Sequence, residues 1–150
     1  QSVPEGVGMA VAWNGLGGAR VAVGVDPVGL PDGAKGPAQP VFQAGLRRVS
    51  CGHVWAKLAG ADRVTRGSGQ LADVLPFMRA LCDAAPERRV WGTDWPNIGF
   101  HSRSQVEVAQ VLPHRELDAG ELLDLLHAAV PGDEARNAIL ASNPARLYGF

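Results

Sequence analysis

The chain has 150 residues, enough for one compact domain with a real core and well short of the ~250 residues of a complete eight-stranded α/β barrel. Hydrophobic residues make up 46% and charged residues 19%, which fits a soluble globular protein and excludes a highly charged disordered one. A net charge of -1, from 14 basic and 15 acidic groups with no basic block, excludes nucleic acid and acidic membrane surfaces as partners.

Glycine and proline are in excess, and the excess is concentrated before residue 41. Residues 1 to 20 carry Gly6, Gly8, Gly15, Gly17 and Gly18 with no clean apolar period, and read as irregular. Val21-Ala-Val-Gly-Val25 is a short apolar run ending at Asp26-Pro27 and predicts a buried strand. Gly29-Leu-Pro-Asp-Gly33 opens a turn-rich loop that runs to Pro40. Phe42, Leu46 and Val49 fall at helical spacing and predict a helix over 41–49. His53 to Gly60 predicts a second strand, and Ala61 to Gly69 a polar loop. Leu71 to Ala85 predicts an amphipathic helix with Leu71, Leu75, Met78 and Leu81 or Cys82 as its stripe. Pro76 marks a kink in it or its first turn. Arg89-Val-Trp-Gly-Thr-Asp94 predicts a third strand, from which Trp95-Pro96-Asn97 turns away. Residues 98 to 116 read as loop with a short helix from Val106 to Val111. Asp118 is a candidate cap for a helix to Val130, with Glu121 three residues on as in a capping box. Asp133 is a candidate cap for another helix to Ala141, and Asn143 to Phe150 closes the chain.

Strands alternating with helices in this order predict parallel strands joined by right-handed crossovers. The three strand ends lead to Asp26, to Ala61-Asp62-Arg63 and to Asp94, and chemistry in such folds sits at the carboxyl ends of strands. Lys57 lies mid-strand on one face with Trp55 and Ala59, and is expected to point inward, where an ammonium needs a partner. Gly15-Leu-Gly-Gly-Ala-Arg20 lacks the third glycine of a dinucleotide fingerprint, and no phosphate loop or serine-hydrolase elbow occurs. The four histidines show no metal-ligand spacing. His53 reads as a loop or strand-edge residue, His101 as a loop residue within reach of a site, and His127 as structural. Cys51 and Cys82 form no Cys-x-x-Cys pair and read as reduced thiols of a cytoplasmic protein. The pairs Arg47-Arg48 and Arg88-Arg89 read as solvated charges, and the start at Gln1 as that of a processed chain or a piece of a longer one.

Three runs carry a resemblance. His53-Val-Trp-Ala-Lys-Leu-Ala-Gly-Ala-Asp-Arg63, Val90-Trp-Gly-Thr-Asp-Trp-Pro96 and Asn143-Pro-Ala-Arg-Leu-Tyr-Gly-Phe150 stand in the order and spacing of the amidohydrolase superfamily. The chain from residue 25 most resembles the branch that contains 2-pyrone-4,6-dicarboxylate lactonases. The resemblance implies an α/β fold and a partial (β/α)8 TIM barrel over residues 25–150: the last three parallel strands, their helices and the closing helices. Residues 1–24 would be an irregular glycine-rich segment before it. It implies that Asp94 takes a proton from, or orients, the attacking water, and binds the metal in metal-dependent members. A divalent metal such as zinc and a metal-free site are both compatible with it. A carboxylate between Trp91 and Trp95 would also suit base work through a raised pKa. Arg63 matches an arginine that handles carboxylated substrates, where a bidentate contact is the physical reason.

Three departures stand against these matches. Pro27 occupies the place of an expected active-site histidine and offers no ligand atom. Asn97 stands where histidine is common, and the first-strand His-x-His pair has no counterpart. The implied activity is water attack on a lactone, ester or amide carbonyl of a small carboxylated substrate, by a fragment of the full enzyme. The alternative is an inactive truncated relic or half-barrel that acts by association, since open sheet edges favour self-association.

Overall fold

A computed structural model of the chain describes residues 32–52, 54–65, 70–97 and 110–150. The irregular segment, the strand at Val21–Val25, Asp26, Pro27, His53, His101 and residues 106–109 of the expected short helix lie outside these residues, while Gln110 and Val111 at its end are not helical. After a 3-10 turn at Gly33–Lys35, α1 runs over Pro40–Ser50. Pro40 suits a first helical turn, where its missing N–H is no loss. Phe42, Gly45 and Val49 form the buried face, while Arg47 and Arg48 are exposed in the last turn, as expected.

The sheet that follows is parallel, as the alternation of elements predicts. β1 (Ala56–Leu58) pairs with β2 (Arg89–Trp91) in the register Ala56 to Arg89, Lys57 to Val90 and Leu58 to Trp91. Between them the expected polar loop begins instead as a single helical turn, α2 (Ala61–Val64). The expected helix over 71–85 begins as a 3-10 turn, Leu71–Val74, and becomes α3 (Leu75–Ala84) with Pro76 in its first turn, so no kink is needed. Arg89 is buried rather than solvated: its Nη1 donates to the Cys82 carbonyl at 2.7 Å, tying the start of β2 to α3.

α4 (Ala119–Ala129) starts at Asp118, whose carboxylate accepts from the Gly120 N–H at 2.7 Å. Glu121 adds no reciprocal bond, so half of the expected capping box is present. α5 (Asp133–Asn137) is preceded by Gly132, not capped by Asp133. Asp133 lies inside the first turn, where its carboxylate pairs with Arg136. The helix does not stop at Ala141. It passes through a π turn, Ala138–Ser142, into α6 (Asn143–Tyr148), so the closing tail is helical.

The two faces of the sheet are packed differently. Ala56 and Leu58 face the helices, in a core with Val49, Phe77, Leu81, Leu122, Leu126 and Ile139. Phe42 and Phe77 meet edge to face at 4.9 Å, joining α1 to α3. On the opposite face Trp55 and Val90 pack with Leu147 of α6, and the Asn143 amide donates to the Arg89 carbonyl at 2.9 Å. Leu126 is fully buried, in α4 where it packs on α3. Truncating it to alanine is expected to cost about 2–5 kcal/mol, read from the thermal unfolding midpoint. Both cysteines are free; Cys51 is exposed, and burial pushes the Cys82 thiol up in pKa, with Arg89 offsetting part of the rise. No helix among the described residues is long and apolar enough to cross a membrane.

Candidate active site

Both strands lead at their carboxyl ends into turns that carry charge. After β1 the chain reverses at Gly60, whose φ of 69° lies in the left-handed region that glycine enters without penalty. A Cβ there would also stand 3.3 Å from Arg63 Cδ and 3.7 Å from Asp94 Oδ2, so the glycine admits both side chains. Asp62 and Arg63 are neighbours on one helical turn and project about 100° apart. They therefore reach different partners.

After β2, Asp94 and Asn97 adopt φ values of 63° and 53°. Short polar side chains tolerate this region better than others do. The turn is closed by the Asn97 N–H donating to the Asp94 carbonyl at 3.1 Å. With the Asn97 amide oriented so that its nitrogen faces acceptors, that nitrogen donates to the carbonyls of Thr93 and Asp94, each at 3.0 Å. Asparagine at this position thus builds the turn that presents Asp94.

Arg63 Nε donates to Asp94 Oδ2 at 2.7 Å. Arg115 Nε donates to Asp62 Oδ2 at 2.5 Å, and its Nη2 stands 3.6 Å from Asp94 Oδ2. Two guanidiniums and two carboxylates therefore alternate at the strand ends. Arg115 is delivered from far along the chain: its N–H donates to the Asn97 carbonyl at 2.7 Å, and His114 Nδ1 meets the Pro96 carbonyl. The Asp62 and Arg115 side chains are only 7% and 10% exposed, against 28% for Asp94. Asp62 Oδ1 is buried without a hydrogen-bond partner. Among the described residues Asp94 Oδ1 makes no hydrogen bond, and the side chain is 28% exposed.

The sequence marks Arg63 and Asp94 as separate functional groups, and the structure brings them into contact. The expected apolar enclosure of Asp94 is not what surrounds it. Trp95 is 80% exposed, and the nearest groups are guanidiniums. Asp62 reads from sequence only as a polar strand-end residue, and Arg115 as part of a loop. No spacing rule links residues 53 apart, so this pair has no signature in the sequence. Lys57 does turn to the face of Trp55 and Val90, opposite Ala56 and Leu58. His127 is exposed in the last turn of α4, where it packs nothing.

A divalent metal fits these residues poorly. Asp94 is shared between two cations, and among the described residues no three His, Cys, Asp or Glu side chains converge. An ion there would meet guanidiniums where it needs oxygen or nitrogen lone pairs.

Residues 20–150 match the family model described as Amidohydrolase. A 4-sulfomuconolactone hydrolase of Hydrogenophaga intermedia is 38% identical over 125 residues, which cover 83% of this chain and 38% of that protein. A 2-pyrone-4,6-dicarboxylate hydrolase of Comamonas testosteroni is 29% identical over 153 residues, covering 96% of this chain and 46% of that one. The solved apo structure of an Agrobacterium tumefaciens protein superposes with a TM-score of 0.54 at 35% identity, over 77% of this chain and 38% of that one. The chain spans less than half the length of these relatives.

Proposed function

The chain belongs to the lactonase-like branch of the amidohydrolase superfamily, and from that premise we propose that residues 25–150 form the carboxyl-terminal part of a (β/α)8 barrel whose site opens lactone rings of small carboxylated substrates by water attack. The observation that carries this is the state of Asp94. One of its oxygens is held by Arg63 and faced by Arg115, and the other has no hydrogen bond among the described residues. A carboxylate fixed through one oxygen is oriented to bind a water through the other. That water adds to the lactone carbonyl as its proton passes to Asp94. The tetrahedral adduct then collapses with cleavage of the ring C–O bond, and the proton returns to the departing ring oxygen. Arg63 positions Asp94 through Nε, and its planar donor edge suits a substrate carboxylate.

The test is a panel of lactones offered to the purified chain: 2-pyrone-4,6-dicarboxylate, a monocarboxylated five-membered lactone and an uncharged one. Ring opening is followed by absorbance and proton release. The carboxylated rings are expected to open at least about tenfold faster than the uncharged ring, the worth of one charge-assisted contact. No opening of any of them would overturn the reading. A second reading, a half-barrel acting through association, is supported by the outer edges that β1 and β2 leave unpaired among the described residues. Sedimentation as dimers together with absent turnover would favour it.

A further inference from the structure

The four charges at the strand ends cancel, and each guanidinium is committed to a carboxylate. A carboxylated substrate that meets the donor edge of Arg63 gains from a second cation that holds no carboxylate already. Lys57 is one. It sits in the middle of β1, half-buried, and among the described residues its side chain makes no hydrogen bond or ion pair. A half-buried ammonium without a partner is costly unless something else meets it.

Its direction is set by the sheet. Lys57 pairs with Val90 in the register, yet the neighbour of its side-chain end is Gly92. A Cβ on Gly92 would fall 2.8 Å from Lys57 Cε and 3.4 Å from Nζ. Gly92 lies two residues beyond Val90, just past the end of β2, which is about 6.6 Å toward the carboxyl end at the rise of a parallel strand. The lysine therefore leans along the sheet toward the turn that carries Asp94, and it can do so because residue 92 has no side chain. With Trp55 and Val90 it shares the face opposite Ala56 and Leu58.

We propose that Lys57 is the anion-recognition residue of this site, its ammonium receiving a substrate carboxylate beneath Asp94, with Gly92 as the cleft through which it reaches. The assignment rests on the lactone reading for the ring it would hold, and on the placement of Lys57 for the anion. It gives the site one positive charge in excess of the cancelled four, which matches a carboxylated ligand and not a neutral one.

The probe is isophthalate, a flat dicarboxylate that cannot be hydrolysed, titrated calorimetrically into the full chain. Lys57→Met is expected to weaken binding about ten- to hundredfold, and Lys57→Arg to restore most of it. Gly92→Ala keeps every charge but displaces the lysine, and is expected to weaken binding about three- to tenfold. Uncharged benzamide should not distinguish the variants. Equal isophthalate affinity in Lys57→Met and the parent chain, or no binding by the parent chain, overturns the assignment. If Lys57→Met loses its circular dichroism signal, Gly92→Ala decides, and parent-like affinity there overturns it. Lysine-dependent binding with no ring opening on the lactone panel would instead sink the hydrolase reading and leave Lys57 in place.

Discussion

Arg115→Met is expected to lower stability by about 3–5 kcal/mol, the cost of stranding one partner of a buried ion pair. In a chain of this size that is a fall in the thermal midpoint of roughly 10 °C. The reason lies in Asp62. Its side chain is 7% exposed, one of its oxygens already lacks a partner, and the other depends on Arg115 Nε. Methionine fills much of the arginine volume, so the loss reports the charge left behind and not a cavity. The double change Asp62→Leu with Arg115→Met removes both charges and is expected to recover most of the loss. A cost below about 1 kcal/mol for Arg115→Met would show that water reaches the pair, as at the exposed Asp133–Arg136 pair.

Asp94→Asn is expected to cut the turnover of any lactone the chain opens by about 10²- to 10⁴-fold, the usual worth of a positioned general base. The amide still offers Arg63 an acceptor, and asparagine tolerates a φ of 63° as well as aspartate does. The turn should therefore survive, with the thermal midpoint within a few degrees of the parent. What is lost is the oxygen that takes the proton. Turnover retained within about tenfold would mean that another group activates the water.

The helices were legible because their apolar spacing and caps are local. Phe42 and Val49 bury one face of α1, and Asp118 starts α4, as their positions predict. The two expected strands that fall on described residues were legible in place but not in length: β1 and β2 are three residues each. The misreadings fall where geometry is decided by tertiary contact. Arg89 looked solvated beside Arg88, yet the Cys82 carbonyl draws it into the interior. Ala61–Val64 looked like loop because one helical turn is too short to show a period. Asp133 looked like a cap, but Arg136 one turn on holds its carboxylate inside the helix. At the site, Asp94 and Arg63 were legible through motif resemblance. Arg115 was not, because it arrives by docking its backbone on Asn97, a contact with no trace in sequence spacing.

The contrast between the buried Asp62–Arg115 pair and the more open Arg63–Asp94 pair bears on how such a site can evolve. A lineage that alters Asp62 or Arg115 one residue at a time passes through a poorly folding intermediate, and selection acts on that intermediate before any new substrate is met. If Lys57 and Arg63 meet the substrate as proposed, a change at either leaves the buried Asp62 carboxylate paired, so substrate preference has a route that bypasses that intermediate. Asp62 and Arg115 are held together as a frozen pair that changes jointly or not at all.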